Sequence, residues 1–502
     1  MKKKSPQLSS IITTVICSLL FLSCVQHSAE PALRQEQSAA IEKLIEKQKA
    51  LYHLPGIAVA IIKNGVVVKK IIAGQANVEA NTPVTESTSF QLASTTKSFT
   101  STAILLLVND GGLRLSDQVG DVLKGLPQAW QKVTVKQLLS HTSGLPDISK
   151  TVGRLDFIAD SWESIFKIIS TSPLQFKPGE NWVYNQTNYV LLSMIIEKLS
   201  GMSYDKYMNE RLFKPLNMTN TFFSDSSKPI AANYEYVAEK LSIRNLVFPQ
   251  FLHAAGGLFS SLEDLIKWNN ALDSGKILPT ALSKEMWTAI TLNDSSVYRI
   301  NGKTMGYGLG WVVDDASKQR ATGHSGGNST AYRRFIDEKF TIIMLHNGVQ
   351  NPDDLIDEVA AIIRSKPGDA VQTAQTRLWE ASKRGDTTEI TAALREGADI
   401  NLLDISKSKS GRRALNYAAL LNQADAIRIL LKNGANIDAA SISGFTALHH
   451  AAESGSLKAV KILLEAGANP NLTTKSGATP AEIARDNKHL DIANFIKSFK
   501  KL

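Results

Sequence analysis

The sequence predicts an α+β body followed by an all-α solenoid, and three observations carry that reading. Runs rich in β-branched residues stand near both ends of the body, with helical periodicity between them. The tail repeats itself, with Gly411, Gly444 and Gly477 spaced 33 residues apart. The first 24 residues read as an export signal, so the 502-residue chain divides into a leader (1–24), a body (25–370) and a repeat region (371–502).

The leader opens with the basic stretch MKKK and continues with IITTVICSLLFL, an apolar segment of 12 residues from Ile11 to Leu22. That length suits a signal core and is short for a bilayer span. The only two cysteines, Cys17 and Cys24, lie here, so an exported body has no disulfide to form. Cys24 ends LFLSC, which resembles a bacterial lipobox, with Phe21 where that pattern has Leu. Lipidation at Cys24 is the expectation, with plain cleavage or an uncleaved anchor as alternatives. The chain is then exported, either periplasmic or held at the membrane as a lipoprotein, and stable anchoring takes more than one acyl chain.

In the body, GIAVAIIK and VVVKKIIAG flank Asn64-Gly65, the pattern of a β-hairpin. A mostly helical middle follows. YGLGWVV, TAYRRFI and FTIIMLHNG supply later strands, and DDLIDEVAAIIR is a closing helix. Strands at both ends with helices between predict one antiparallel sheet covered by helices. SKPGDAVQT reads as the linker to the repeats.

Net charge is +9, but +3 sits in the leader, +1 in the body and +5 in the repeats. With no Lys/Arg-rich run outside the leader, a nucleic-acid partner is not expected. The nine histidines lack metal-ligand spacing and no Gly-rich phosphate loop occurs, so neither a metal nor another cofactor is expected.

In the tail, GRRALNYAALLNQADAIRILLKNGANIDAA aligns without gaps on GFTALHHAAESGSLKAVKILLEAGANPNLT. A third copy begins at GATPAEIARDN, and TRLWEASKRGDTTEITAALREGADINLLD is an earlier one, offset by an insertion near SKSK. Small alanines such as Ala451 and Ala452 let helices approach, and Val460, Leu463 and Leu464 pack on the neighbouring copy. One copy cannot bury its faces alone, so about four stack. The 33-residue period with TALHHAA resembles the ankyrin repeat, which implies a protein partner of unknown identity.

Three separated motifs carry chemistry. In FQLASTTKSFT, Lys97 follows Ser94 by three residues at the start of a helix whose apolar face is Phe99, Ala103, Leu106 and Leu107. Positions i and i+3 share a face, so the Ser94 hydroxyl and the Lys97 amine can meet. Desolvation and the helix N-terminus both favour a neutral amine able to take the serine proton. Tyr184 stands before a long apolar helix, where it can relay protons into a cleft. Finally, His324-Ser325-Gly326-Gly327 precedes a strand, and the Gly327 N–H can join the Ser94 N–H as an oxyanion hole.

Together with LLSHTSGLPD, LFKPLNMTNTFF and AAGGLFSSLEDLIKWNNAL, these motifs resemble the serine β-lactamase and penicillin-binding superfamily, in its class C β-lactamase-like branch. The resemblance spans about residues 40–365. It implies a β-lactamase-like fold of α/β/α layers and an acyl-enzyme serine hydrolase acting on a small-molecule or peptide substrate. Ser94 is then the nucleophile, Lys97 its activating neighbour, and Tyr184 the general base and later proton donor. His324 stands where penicillin-recognising members carry the lysine of Lys-Thr-Gly, with Ser325 and Gly326 beside it as substrate-binding positions.

Two departures matter. The second motif reads Tyr184-Asn185-Gln186 where the family has Tyr-x-Asn, so Gln186 offers the substrate-binding amide with an extra methylene. Neutral His324 holds a substrate carboxylate less firmly than lysine does. A small ester, amide or peptide is therefore expected as substrate. The alternatives are a non-catalytic recognition or scaffold protein, and a D,D-peptidase or β-lactamase. His141 is read as structural, because serine, lysine and tyrosine already complete a proton path.

Overall fold

The computed structural model describes residues 32–499, apart from 152–161, 225–226, 238–239, 245–247, 301–304, 316–318, 328, 350–351, 366–373, 396 and 405–410. The leader with Cys17 and Cys24, most of the linker and the insertion near SKSK lie outside the described residues.

Helix α1 (Gln35–Leu51) leads into the hairpin β1 (Gly56–Lys63) and β2 (Val66–Asn77). Asn64 and Gly65 both take positive φ, 52° and 79°, as a two-residue turn matched to strand twist demands. A short β3 (Thr82–Pro83) continues the edge. The last part of the body supplies β4 (Met305–Tyr307), β5 (Val312–Asp314), β6 (Ala321–Gly326), β7 (Thr330–Phe335) and β8 (Phe340–His346). Among the described residues these eight strands form one antiparallel sheet in the order β3-β2-β1-β8-β7-β6-β5-β4. Chain order thus brings β1 beside β8, with Ile57 opposite His346, and the sheet is built from both ends of the body as the sequence predicts.

The apolar run of β1 is buried along almost its whole length because both faces of the sheet are covered. Ile57, Val59 and Ile61 point to one side, where α1 and α5 (Asp353–Arg364) pack with Ile41, Ile45, Ile356 and Val359. Ala58, Ala60 and Ile62 point to the other, into the larger core with Phe90, Leu92, Phe99, Trp268 and Ile343. Helices α2 (Thr96–Asn109), α3 (Thr187–Ser200) and α4 (Leu262–Asp273) belong to that second layer. Alternation along the strands therefore yields the α/β/α sandwich. A small ladder pairs Ser89–Gln91 with Phe259–Ser261 and delivers the chain to the turn before α2.

The tail forms four helix pairs among the described residues. They are α6 (Ala374–Arg384) with α7 (Thr387–Arg395), α8 (Ala414–Leu420) with α9 (Ala424–Lys432), α10 (Ala447–Glu453) with α11 (Leu457–Glu465), and α12 (Pro480–Asp486) with α13 (Leu490–Ser498). Thr446 and Thr479, 33 residues apart, both cap a first helix by accepting from the backbone N–H three residues on. Alanines fill the helix contacts, and Ile427, Leu430, Val460 and Leu463 make a continuous core along the stack. Lys47 of α1 pairs with Glu380 of α6 at 3.0 Å. Leu463 is fully buried in that core. Leu463→Ala is expected to destabilise the array by about 2–5 kcal/mol, read as a lowered array transition in calorimetry of the full chain.

Candidate active site

The turn Ala93–Thr95 runs directly into α2, so Ser94 and Lys97 lie on consecutive turns. Ala93 takes φ +43°, a strained value for a side chain that the surrounding packing must hold. Lys97 is fully buried. Its Nζ donates to the Ala255 carbonyl at 2.6 Å and to Gln186 Oε1 at 2.8 Å, and lies 3.5 Å from Ser94 Oγ. Both close partners are acceptors only. A neutral amine has two N–H bonds and one lone pair; these two partners use the N–H bonds and leave the lone pair for the Ser94 hydroxyl. Burial pushes the Lys97 pKa down to about 7, with Asp147 opposing the fall. The amine is therefore divided between its two forms near neutrality.

Gln186 stands at the N-terminus of α3. Its longer side chain still reaches the amine, so the extra methylene does not remove the amide from Lys97. Asn185 turns elsewhere, donating to the Leu145 carbonyl at 2.6 Å. The Tyr184 ring lies 4.8 Å from Lys97 Nζ. Its hydroxyl is buried and has no hydrogen-bond partner of ordinary geometry among the described residues. Burial raises the Tyr184 pKa, Ser94 pulls the other way, and Asp147 adds to the rise. The phenol is thus protonated at neutral pH, and of the two candidate bases Lys97 is the one ready to accept a proton.

Strand β6 brings the third motif to the same turn. The buried Thr95 hydroxyl faces the His324 carbonyl at 3.4 Å, and Thr330 Oγ1 donates to the Leu92 carbonyl at 3.1 Å. His324 donates from Nδ1 to the Ser325 carbonyl at 2.8 Å and accepts at Nε2 from the Tyr307 hydroxyl at 3.2 Å. Burial pushes its pKa down to about 4, and the Lys97 charge adds to the fall. His324 is neutral, and both ring nitrogens are engaged. Gly327 takes φ +56°, and a Cβ there would stand 3.0 Å from Ala93 Cβ. This glycine therefore lies against the Ser94 turn, beside the backbone N–H expected to share the oxyanion.

Ser325 and Gly326 correct the sequence reading. Side chains alternate along β6, so with His324 turned inward Ser325 turns outward, donating to Asp353 Oδ1 of α5 at 2.6 Å. It lines a cavity of about 400 Å³ with His324, Arg333, Asp353 and Asp357. The close approach at Gly326 is to the chain itself: a Cβ there would lie 1.9 Å from the Leu92 carbonyl oxygen. His141 is fully buried at φ +60°, and its Nδ1 accepts from the Asn185 N–H and the Asn188 amide, both at 3.2 Å. Burial, then the Lys97 charge, push its pKa well down. It is a neutral packing group beneath Tyr184, 4.4 Å between ring centres.

Sequence reasoning gave no role to the Ala255 carbonyl, Tyr307 or Asp147. A backbone carbonyl has no letter in the sequence, and Tyr307 lies in an ordinary strand. Asp147 ends the stretch LLSHTSGLPD, which was the available signal.

Residues 41–364 match the family model described as beta-lactamase. The model described as ankyrin repeats (3 copies) matches 345–441, 378–474 and 440–500. The chain is 30% identical over 344 residues to penicillin-binding protein 4* of Bacillus subtilis (strain 168), covering 63% of this chain and 73% of that protein. Among solved structures, an octameric penicillin-binding protein homologue from Pyrococcus abyssi superposes with a TM-score of 0.58 at 28% identity, over 69% of this chain and 81% of that one. A D-amino acid amidase from Ochrobactrum anthropi SV3, complexed with L-phenylalanine amide, gives a TM-score of 0.58 at 25% identity, over 66% and 99%.

Proposed function

The chain belongs to the beta-lactamase family and carries ankyrin repeats at its C-terminal end; from that premise we propose that it is an exported serine hydrolase that forms an acyl-enzyme on a small ester, amide or peptide bond. The observation that carries the proposal is the Lys97 amine, with both N–H directions taken by acceptors and Ser94 Oγ 3.5 Å away on the third. Ser94 Oγ attacks the substrate carbonyl as its proton passes to Lys97. The Ser94 and Gly327 N–H groups receive the developing oxyanion. The tetrahedral intermediate collapses, the bond to the leaving group breaks, and that group takes a proton through Tyr184. Water then repeats the sequence and releases the acid.

The third motif supports the substrate class. His324, neutral and held by Tyr307 and the Ser325 carbonyl, offers no cation to a substrate carboxylate. Esters or amides without a carboxylate beside the scissile bond are the preferred substrates. The relative named as a penicillin-binding protein makes acylation by a β-lactam the second reading. The repeats are proposed to hold a partner protein, and Cys24 to carry the lipid that keeps the chain at the membrane.

A fluorophosphonate probe is expected to label wild type at Ser94, and Ser94→Ala to abolish both labelling and ester turnover. Labelling that persists in Ser94→Ala would overturn the nucleophile. Preference for carboxylate-bearing esters over their neutral counterparts would overturn the substrate class.

A further inference from the structure

We infer that Asp147 is a positioning residue of this site: its carboxylate anchors the first residue of the α3 entry and, through Gln186, holds the Lys97 amine against Ser94. The inference rests on the hydrolase reading above. Asp147 is buried, 5% exposed, at the end of the loop that also carries His141. Its Oδ1 accepts from the Gln186 backbone N–H at 3.1 Å and the Ser149 N–H at 3.2 Å, and its Oδ2 accepts from the Ser149 hydroxyl at 2.6 Å. Gln186 in turn presents Oε1 to Lys97 Nζ at 2.8 Å. A continuous chain thus runs from the carboxylate through one residue to the amine.

The same group sets the charge balance. An anion at the N-terminus of the 14-residue α3 is favoured by the helix dipole and by the free N–H groups there. The titratable groups around Lys97 are Tyr184 and Tyr189, whose rings lie 4.8 and 5.2 Å from Nζ, His141 and His324, which share its field, and Tyr307 behind them. Both histidines are neutral and all three tyrosines are protonated by burial. Of the carboxylates nearby, Asp147 acts on Lys97 and Tyr184, and Asp353 acts on His324. Asp147 raises both the Lys97 and the Tyr184 pKa. Removing its charge alone favours the neutral amine, and removing its hydrogen bonds loosens Gln186.

Two substitutions separate these effects. Asp147→Asn keeps an oxygen for the Gln186 N–H, and its new amide can donate to the Ser149 hydroxyl, whose proton rotates away. The expected result is a plateau kcat close to wild type, with the acid limb of the pH–rate profile moved to lower pH. Asp147→Ala is expected to lose plateau kcat by on the order of 100-fold through misplacement of the amine, with fluorophosphonate labelling of Ser94 slowed in parallel. An Asp147→Asn acid limb that superimposes on wild type, in protein that melts like wild type, overturns the inference; so does an unchanged plateau in Asp147→Ala. Wild type that fluorophosphonate fails to label would instead overturn the hydrolase reading itself.

Discussion

Replacing Lys97 by methionine or arginine is expected to lower kcat/KM for a small ester by about 10²–10⁴-fold. The two variants fail for different reasons. Methionine fills the volume but has no basic lone pair and no donor, so Ser94 keeps its proton and the Ala255 carbonyl and Gln186 amide lose a partner, each worth about 1–3 kcal/mol when buried. Arginine restores charge and donors but stays protonated at every accessible pH, so it cannot take a proton. If the amine served only as a positive charge stabilising the oxyanion, arginine would retain much of the activity. The wild-type pH profile gives an independent check. Lys97 titrates near 7, and only its neutral form accepts the Ser94 proton. Acylation should therefore fall as pH drops below about 7 and level off above it. A flat profile between pH 5 and 8, or an arginine variant within tenfold of wild type, would remove Lys97 from the role of base.

What could be read from the sequence follows the range of the interactions involved. Ser94 and Lys97 sit three residues apart, and helical geometry alone brings them together, so their meeting was legible before any fold was known. The two-sided burial of β1 was also legible, because GIAVAIIK is apolar without alternation. The repeat array announced itself by its period. Gln186 and His324 could be placed only through motif resemblance, since 89 residues separate Gln186 from Lys97 and nothing local fixes that distance. Ser325 shows how register decides a side chain's company: it follows His324, which turns inward, so it must face α5, a conclusion that needs the strand boundaries first. Tertiary packing of separate loops brings the Ala255 carbonyl to the amine and the Asp147 carboxylate to the Gln186 backbone. No periodicity or propensity encodes that convergence.

Gly326→Ala carries the second large effect, and it acts on the backbone. A Cβ at this position would lie 1.9 Å from the Leu92 carbonyl oxygen and 2.9 Å from Thr330 Oγ1. The nearest atom is main chain, so no rotamer change relieves the overlap, and β6 must move away from the turn that carries Ser94. Two consequences follow from one displacement. The Thr330-to-Leu92 hydrogen bond that ties the sheet to the turn is stretched or lost, at about 1–3 kcal/mol of stability with the overpacking included. The neighbouring Gly327 N–H moves with the strand, away from the oxyanion position proposed for it beside the Ser94 N–H. Loss of one oxyanion donor costs about 10²–10³-fold in kcat, so the kinetic penalty should exceed what the fall in melting temperature explains. Gly112→Ala supplies the contrast: its Cβ meets only the Leu107 carbonyl oxygen at 3.7 Å, an ordinary contact, and it should leave both stability and turnover unchanged. If Gly326→Ala instead melts like wild type and turns over ester at the wild-type rate, then β6 does not abut the Ser94 turn as described, and the Gly327 N–H has no part in the oxyanion hole.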